Sequence, residues 1–327
     1  MRKLFMSTNF FDVPILFLIY RNPEVTRTTF EQIRKIRPSH LYIAADGPHL
    51  DRPLEIDECL LTRHVVDLID WDCEVKKRFL PENVGLKKAV SGAIDWFFSE
   101  VDEGIILEYD CLAGSDFFNY CKEMLSRYRD DKDVFSISGN NLQNGIWRGD
   151  GDYYYSHLFG CWGWATWKRA WQHWQPNLPN YERFVLDNQI ANFVISNKAR
   201  KSCIQSLDDI YHGRNTTTWS FCFEYAQMCQ CGLCIVPNRN LVSNIGFSKE
   251  GTHAKDANHP LANMSIESLA SFRAPTFKIA NIEADELQTI NAYRISMRTK
   301  IRIVLGNVVK FILPEFMIQY IRNMRAS

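Results

Sequence analysis

The chain has 327 residues, 46 % of them hydrophobic, with 38 Lys and Arg against 38 Asp and Glu. That length suits one large α/β domain with extensions or two smaller domains, and the apolar fraction excludes a wholly disordered chain. A formal net charge of zero gives no reason to expect a nucleic-acid partner.

The first half alternates two periodicities. Residues 13–20 (VPILFLIY) form a continuous apolar run, as in a strand covered on both faces. The run is too short for a bilayer, which takes about 20 residues. Residues 24–36 carry Val25, Phe30, Ile33 and Ile36 at helical spacing. Residues 40–45 predict a second strand that stops at the turn signal Asp46-Gly47-Pro48. A helix over roughly 51–70 and a strand over 73–79 follow. Residues 85–99 set Leu86, Val90, Ile94, Phe97 and Phe98 on one helical side. The strand at 104–107 runs directly into Glu108-Tyr109-Asp110, and a helix at 116–128 and a strand at 134–138 complete the series. This rhythm predicts an α/β fold with a mostly parallel, doubly wound sheet. Such sheets bind ligands beyond the carboxyl ends of their strands. Those ends carry Tyr20-Arg21-Asn22, Asp46-Gly47 and Glu108-Tyr109-Asp110.

The second half is aromatic. Trp164, Trp167, Trp171 and Trp174 lie three or four residues apart, which reads as the packed stripe of a helix. The alternating loop Gly160-Cys161-Trp162-Gly163-Trp164 instead suits stacking against a flat sugar. The ten cysteines are scattered between 59 and 234. Residues 1–7 lack the apolar stretch of a secretory signal, so reduced thiols and a cytoplasmic location are expected. Cys231-Gly232-Leu233-Cys234 is a C-x-x-C without the second pair that zinc ordinarily takes. From residue 291 onward seven Lys and Arg face one acid, Glu315, among many aliphatic residues. This tail reads either as an amphipathic element lying on an anionic membrane, at the inner face of the cytoplasmic membrane, or as a helix docked on the domain with a solvated basic face.

An acidic pair ending a buried strand supplies the anchor that Mg²⁺ or Mn²⁺ needs when it bridges diphosphate oxygens. The ordered blocks Tyr20-Arg21-Asn22-Pro23-Glu24, Ala45-Asp46-Gly47, 83–90 (NVGLKKAV), 106–111 (ILEYDC), 136–141 (SISGNN), 163–171 (GWATWKRAW) and 237–247 (PNRNLVSNIGF) carry a more specific signal. Over roughly residues 12–255 the chain resembles the GT-A fold glycosyltransferases, and more narrowly the bacterial sugar transferases related to N-acetylglucosaminyltransferase I.

The resemblance implies a GT-A (Rossmann-like) domain over 1–255, with a donor half at about 12–140 and an acceptor half at about 141–255. A helical basic extension would follow at 256–327. It implies a UDP-sugar donor, Mn²⁺ or Mg²⁺, and a saccharide or lipid-linked saccharide (glycolipid) acceptor. Arg21, beside Tyr20, would contact the nucleotide or its phosphates, and Asp46, beside Gly47, would hydrogen-bond uracil. Asp110 would be the direct metal ligand. Glu108 would assist at the metal and orient the donor, with Tyr109 standing where the family has a middle acid. Lys87 or Lys88 would face the donor, and His253 would sit on a loop closing over the diphosphate. Trp162, Gly163, Trp164 and Trp219 would contact the acceptor. Inverting members place a carboxylate after a tryptophan as general base, but here Ser220 follows Trp219. Serine takes no proton at neutral pH without a base of its own. Glu224 lies one helical turn further on the same face and is the leading substitute, ahead of Asp209 and Asp208.

The rival reading is a catalytically weak nucleotide-sugar or glycan-binding protein on the same fold. A sugar-nucleotide-forming nucleotidyltransferase would need a glycine-rich loop after the first strand, which Tyr20-Arg21-Asn22-Pro23 does not provide. No P-loop and no G-x-S-x-G motif is present, against phosphoryl transfer of that kind and against an α/β-hydrolase.

Overall fold

The computed structural model describes residues 11–247 and 261–292. Its strands are β1 (Ile15–Ile19), β2 (His40–Ala45), β3 (Glu74–Phe79), β4 (Glu103–Glu108), β5 (Cys111–Ala113), β6 (Val134–Ser138), β7 (Tyr153–Ser156), β8 (Trp164–Trp167), β9 (Leu233–Pro237) and β10 (Val242–Asn244). Its helices are α1 (Pro23–Ile36), α2 (Pro53–Arg63), α3 (Leu86–Glu100), α4 (Ser115–Arg127), α5 (Lys168–Trp171), α6 (Tyr181–Leu186), α7 (Asn197–Tyr211), α8 (Ser220–Cys229) and α9 (Ile282–Ala292).

One eight-stranded sheet runs in the order β3-β2-β1-β4-β8-β6-β9-β7. Pairings along β3-β2-β1-β4 are parallel, β8 is antiparallel to both β4 and β6, β9 is parallel to β6, and β7 is antiparallel to β9. The expected α/β, mostly parallel sheet with flanking helices is what forms. The second half of the chain completes the same sheet, and β8 is wedged between strands of the first half.

The central strand β1 is buried throughout, as its continuous apolar sequence requires. Its residues alternate between two cores. Ile15, Phe17 and Ile19 pack with Phe30, Ile33 and Phe117 on one face, and Leu16 and Leu18 pack with Ile94 and Phe97 on the other. The edge strand β3 carries Lys76, Lys77 and Arg78 and is only partly buried, a charged edge that resists pairing with other chains. α1 starts where Asn22 Oδ1 accepts from Val25 N at 3.1 Å, with Pro23 in its first turn, a standard N-terminal signature.

The tryptophan stripe is not a helix. Trp164 and Trp167 bracket β8, and only 168–171 are helical. Three residues apart on a strand, the two rings point to opposite faces, Trp164 into one core and Trp167 into the other. Residues 261–292 pack back on the domain. Asn281 N donates to Tyr155 O at 2.7 Å beside the edge strand β7, and Ala284, Asp285 and Gln288 of α9 are buried. The basic tail beyond 292 and His253 lie outside the described residues. None of the ten cysteines is in a disulfide, and no described helix is long and apolar enough to cross a membrane.

Candidate active site

The strand order places the carboxyl ends of β2, β1 and β4 side by side. Tyr20 and Arg21, following β1, therefore lie between Asp46-Gly47, following β2, and Glu108-Tyr109-Asp110 at the end of β4.

At the β2 side, Asp46 Oδ1 accepts from Gly47 N at 2.8 Å and from Val84 N at 3.1 Å. This ties the 46–48 turn to the segment entering α3. The approach is so close that a Cβ on Gly47 would lie 2.3 Å from the Glu82 backbone. Asn83 Nδ2 donates to Gly47 O and to Tyr20 Oη, both at 3.0 Å. At the centre of this cluster is an acid that the sequence reading passed over. Glu55, in the first turn of α2, is 4 % exposed. It accepts from Tyr20 Oη at 2.5 Å and from His49 N at 2.9 Å, lies 2.7 Å from His49 Nδ1, and pairs with Arg21 at 3.7 Å and Arg52 at 3.3 Å. Burial alone would raise its pKa, but the Tyr20 and His49 hydrogen bonds outweigh burial and hold it down at about 2. In sequence Glu55 looks like an ordinary first-turn acid answering the helix dipole. Its main partner is 35 residues away, and no local pattern announces the pair.

At the β4 side, Tyr109 N donates to Leu18 O and Ile245 N to Asp110 O, each at 2.8 Å. β5 pairs antiparallel with β10, setting Asn244 opposite Cys111. The acidic turn is thus clamped between the main sheet and this two-stranded ribbon. Gly246 lies so close to the Asp110 carboxylate that a Cβ there would sit 2.3 Å from Oδ2. Burial, and then the charge of Asp110, push the Glu108 carboxyl well above the usual carboxylate range. Burial likewise raises Asp110, opposed by hydrogen bonds from the Cys111 thiol, the backbone and Asn244.

Two carboxylates sharing a low-dielectric turn lack a positive charge, and oxygen ligands suit a hard divalent cation. No group of three or more His, Cys, Asp or Glu side chains among the described residues is arranged to hold an ion. Asp110 and Glu108 offer carboxylate oxygens, the ligand type such an ion takes.

Glu224 is on a helix, as its spacing from Trp219 and Ser220 requires, for α8 begins at Ser220. Its Oε2 accepts from Phe159 N at 3.3 Å. Burial, with a further contribution from Asp285, pushes its pKa up to about 7 against the Phe159 hydrogen bond. Burial raises the Cys161 thiol, and Glu108, Asp110 and Glu224 all raise it further.

The other expected site residues stand in varied surroundings. Trp164 is 0 % exposed and stacks on Trp219, itself 3 % exposed, at 5.6 Å. Neither ring can meet an acceptor. Gly163 is also buried and accepts from Gly139 N at 2.7 Å, a structural role at φ +61°. Trp162 is half-buried, edge-on to Phe247 at 5.7 Å, and is the one ring of the expected acceptor set open to solvent. Asp209 is half-buried on α7, accepting from Arg214 Nε at 2.7 Å. That bond lowers its pKa, the wrong direction for a base, and Asp208 is engaged by the same arginine. Lys87 Nζ donates to Pro176 O at 2.9 Å, reaching toward the second half of the chain, and Lys88 is exposed at the start of α3.

No protein-family model matches the chain, and no curated protein matches it. Among solved structures it is similar to mouse xyloside xylosyltransferase 1, at 10 % identity over 66 % of this chain and 81 % of that one, TM-score 0.34. It is similar to a UTP-bound UGPase from Acinetobacter baumannii, at 10 % identity over 69 % of this chain and 85 % of that one, TM-score 0.36. A cytidylyltransferase from Leptospira borgpetersenii is matched at 11 % identity over 49 % of this chain and 62 % of that one, TM-score 0.32.

Proposed function

We propose that this protein is a metal-dependent glycosyltransferase of the GT-A type, related to N-acetylglucosaminyltransferase I, that moves a sugar from a UDP-sugar to a saccharide or lipid-linked saccharide. The observation that carries this reading is the acidic turn at the carboxyl end of β4, where Ile245 N donates to Asp110 O at 2.8 Å and Gly246 closes on the Asp110 carboxylate. It holds an acidic pair suited to a cation beside the strand ends that carry Arg21 and Asp46.

A divalent ion held by Asp110 and Glu108 would neutralise the departing diphosphate. Arg21, Tyr20, Asp46 and Gly47 line the neighbouring strand ends and suit the nucleotide. Glu224, with Oε2 fixed by Phe159 N, would take the acceptor hydroxyl proton at Oε1 as that oxygen attacks the anomeric carbon, with inversion. A carboxylate with a pKa near the working pH is well matched to this task. The half-exposed Trp162 suits stacking against the acceptor. The setting we favour is surface polysaccharide or glycolipid assembly at the inner face of the cytoplasmic membrane of a bacterium, with the basic tail on the anionic surface.

The test is incubation with radiolabelled UDP-glucose, UDP-galactose, UDP-N-acetylglucosamine and UDP-xylose, with MnCl₂ or with EDTA. Hydrolysis or transfer from one donor, lost in EDTA, is the expected outcome. Tight UDP binding with no turnover from any donor would leave a nucleotide-sugar-binding protein and sink the enzyme reading.

A further inference from the structure

One cavity of the described residues lies away from the acidic turn. It has a volume of about 700 Å³ and opens on the outer face of α8, where Cys222, Tyr225, Ala226 and Cys229 line it. Successive helical residues are turned by about 100°. Glu224 therefore points to the opposite side of the same helix, as do Phe223, in the core, and Gln227, whose Oε1 accepts from Ser136 Oγ at 2.8 Å. The cavity is a separate place from the site described above.

One wall is a fixed imidazole. Asp285 of α9, 1 % exposed, accepts from Ser156 Oγ at 2.5 Å and His157 N at 3.1 Å, and its Oδ2 lies 3.0 Å from His157 Nδ1. A carboxylate on Nδ1 makes that nitrogen the donor and leaves Nε2 as the acceptor. Phe193 holds the ring edge-on at 5.4 Å. The rest of the lining decides what fits. It carries six amides, Gln172, Gln175, Asn180, Gln189, Asn192 and Gln230, above the aromatic rings of Phe184, Phe193 and Tyr225. Its only Lys, Arg, Asp or Glu side chains, Arg183 and Asp187, bond each other at 2.6 Å.

A phosphate or carboxylate ligand would need a cation not already paired, and a purely apolar ligand would strip six amides of water without compensation. A neutral polyhydroxyl compound satisfies both demands. Its hydroxyls donate and accept as amides and imidazole require, and its C–H faces pack on aromatic rings. The volume lies within the usual range of about 300–1,000 Å³ for small-molecule sites. We propose that this cavity binds an uncharged saccharide, independently of the nucleotide site.

The full chain would be titrated with maltotriose, cellotriose, triacetylchitotriose and mannotriose by saturation-transfer NMR and calorimetry, with and without UDP and MnCl₂. At least one trisaccharide is expected to bind. His157→Phe, which keeps the ring against Phe193 but removes Nε2, and Asn192→Trp, which fills the mouth from an exposed position, should each weaken that binding at least tenfold. Circular dichroism of both variants should match the parent, as should the unfolding temperature of Asn192→Trp, whereas His157→Phe also removes a partner of buried Asp285 and should unfold at a somewhat lower temperature. Failure of all four sugars, binding unchanged in both variants, or displacement of the sugar by UDP would each overturn the proposal. The measurement stands whether or not UDP itself binds.

Discussion

At the scale of single residues, the site depends on carboxyl groups whose environments differ. Glu224→Gln keeps the shape and the Phe159 contact but removes the base. Transfer should fall about 10²–10⁴-fold, with UDP affinity unchanged by calorimetry. Because burial raises Glu224 to about 7, kcat should climb tenfold per pH unit below that value and level off above it, as measured in a pH–rate profile. Glu55 works in the other direction. Glu55→Gln removes the negative partner of Arg21 and His49 while keeping the helix turn. Loss of charge-assisted bonds worth roughly 1.5–3 kcal/mol should weaken UDP binding about tenfold or more and leave kcat nearly unchanged. Asp110 shows what the sequence reveals at this scale. A carboxylate after an apolar strand is visible in one chain segment, whereas Glu55 acquires its role only from Tyr20, His49 and Arg21, brought together by the fold.

At the scale of elements, two close approaches hold the strand-end loops. Gly47→Ala would press on the Glu82 backbone and Gly246→Ala on the Asp110 carboxylate, each at 2.3 Å. Overpacking of this kind costs about 1–3 kcal/mol. Gly246→Ala should in addition weaken Mn²⁺ affinity, read by titration with the parent as reference, because the displaced atom belongs to the proposed ligand. Strands β1, β2 and β4 were legible in the sequence, since each is a run of apolar residues buried on both faces. The β5–β10 ribbon was not, because three residues pairing across about 130 positions leave no local period. β8 was misread for a related reason. Trp164 and Trp167 have a spacing that suits a helix face, and only the pairing partners β4 and β6 decide that they lie on a strand. Reading Gly160 to Trp164 as an alternating Gly-Trp loop likewise made Trp164 an acceptor contact, although it is wholly buried. Trp164→Ala should therefore act on stability, lowering it by about 3–5 kcal/mol in chemical denaturation.

At the scale of the whole molecule, Glu224 and Glu55 give stability opposite dependences on pH. Glu224 has a folded pKa of about 7 against a reference of 4.5. Between those values the folded state holds a proton that the unfolded chain has released, so this group lowers stability as pH rises through that window. Glu55, at about 2 against 4.5, adds stability above 4.5 that is lost as pH falls toward 2. The unfolding temperature should pass through a maximum near the lower end of the Glu224 window, and Glu224→Gln should flatten its decline between pH 5 and 7. A cation that binds only the folded protein should raise stability by about 2.7 kcal/mol at a hundredfold excess over its Kd.

The clamp on the acidic turn also orders events in time. Chains leave the ribosome N-terminus first, and β1 to β4 with their helices are complete by residue 108. The backbone of Asp110, however, is fixed by Ile245 and faced by Gly246. A nascent chain can thus assemble half its sheet long before it owns a site. Any product that ends short of about residue 246 would carry Glu108 and Asp110 without the ribbon that holds them in register.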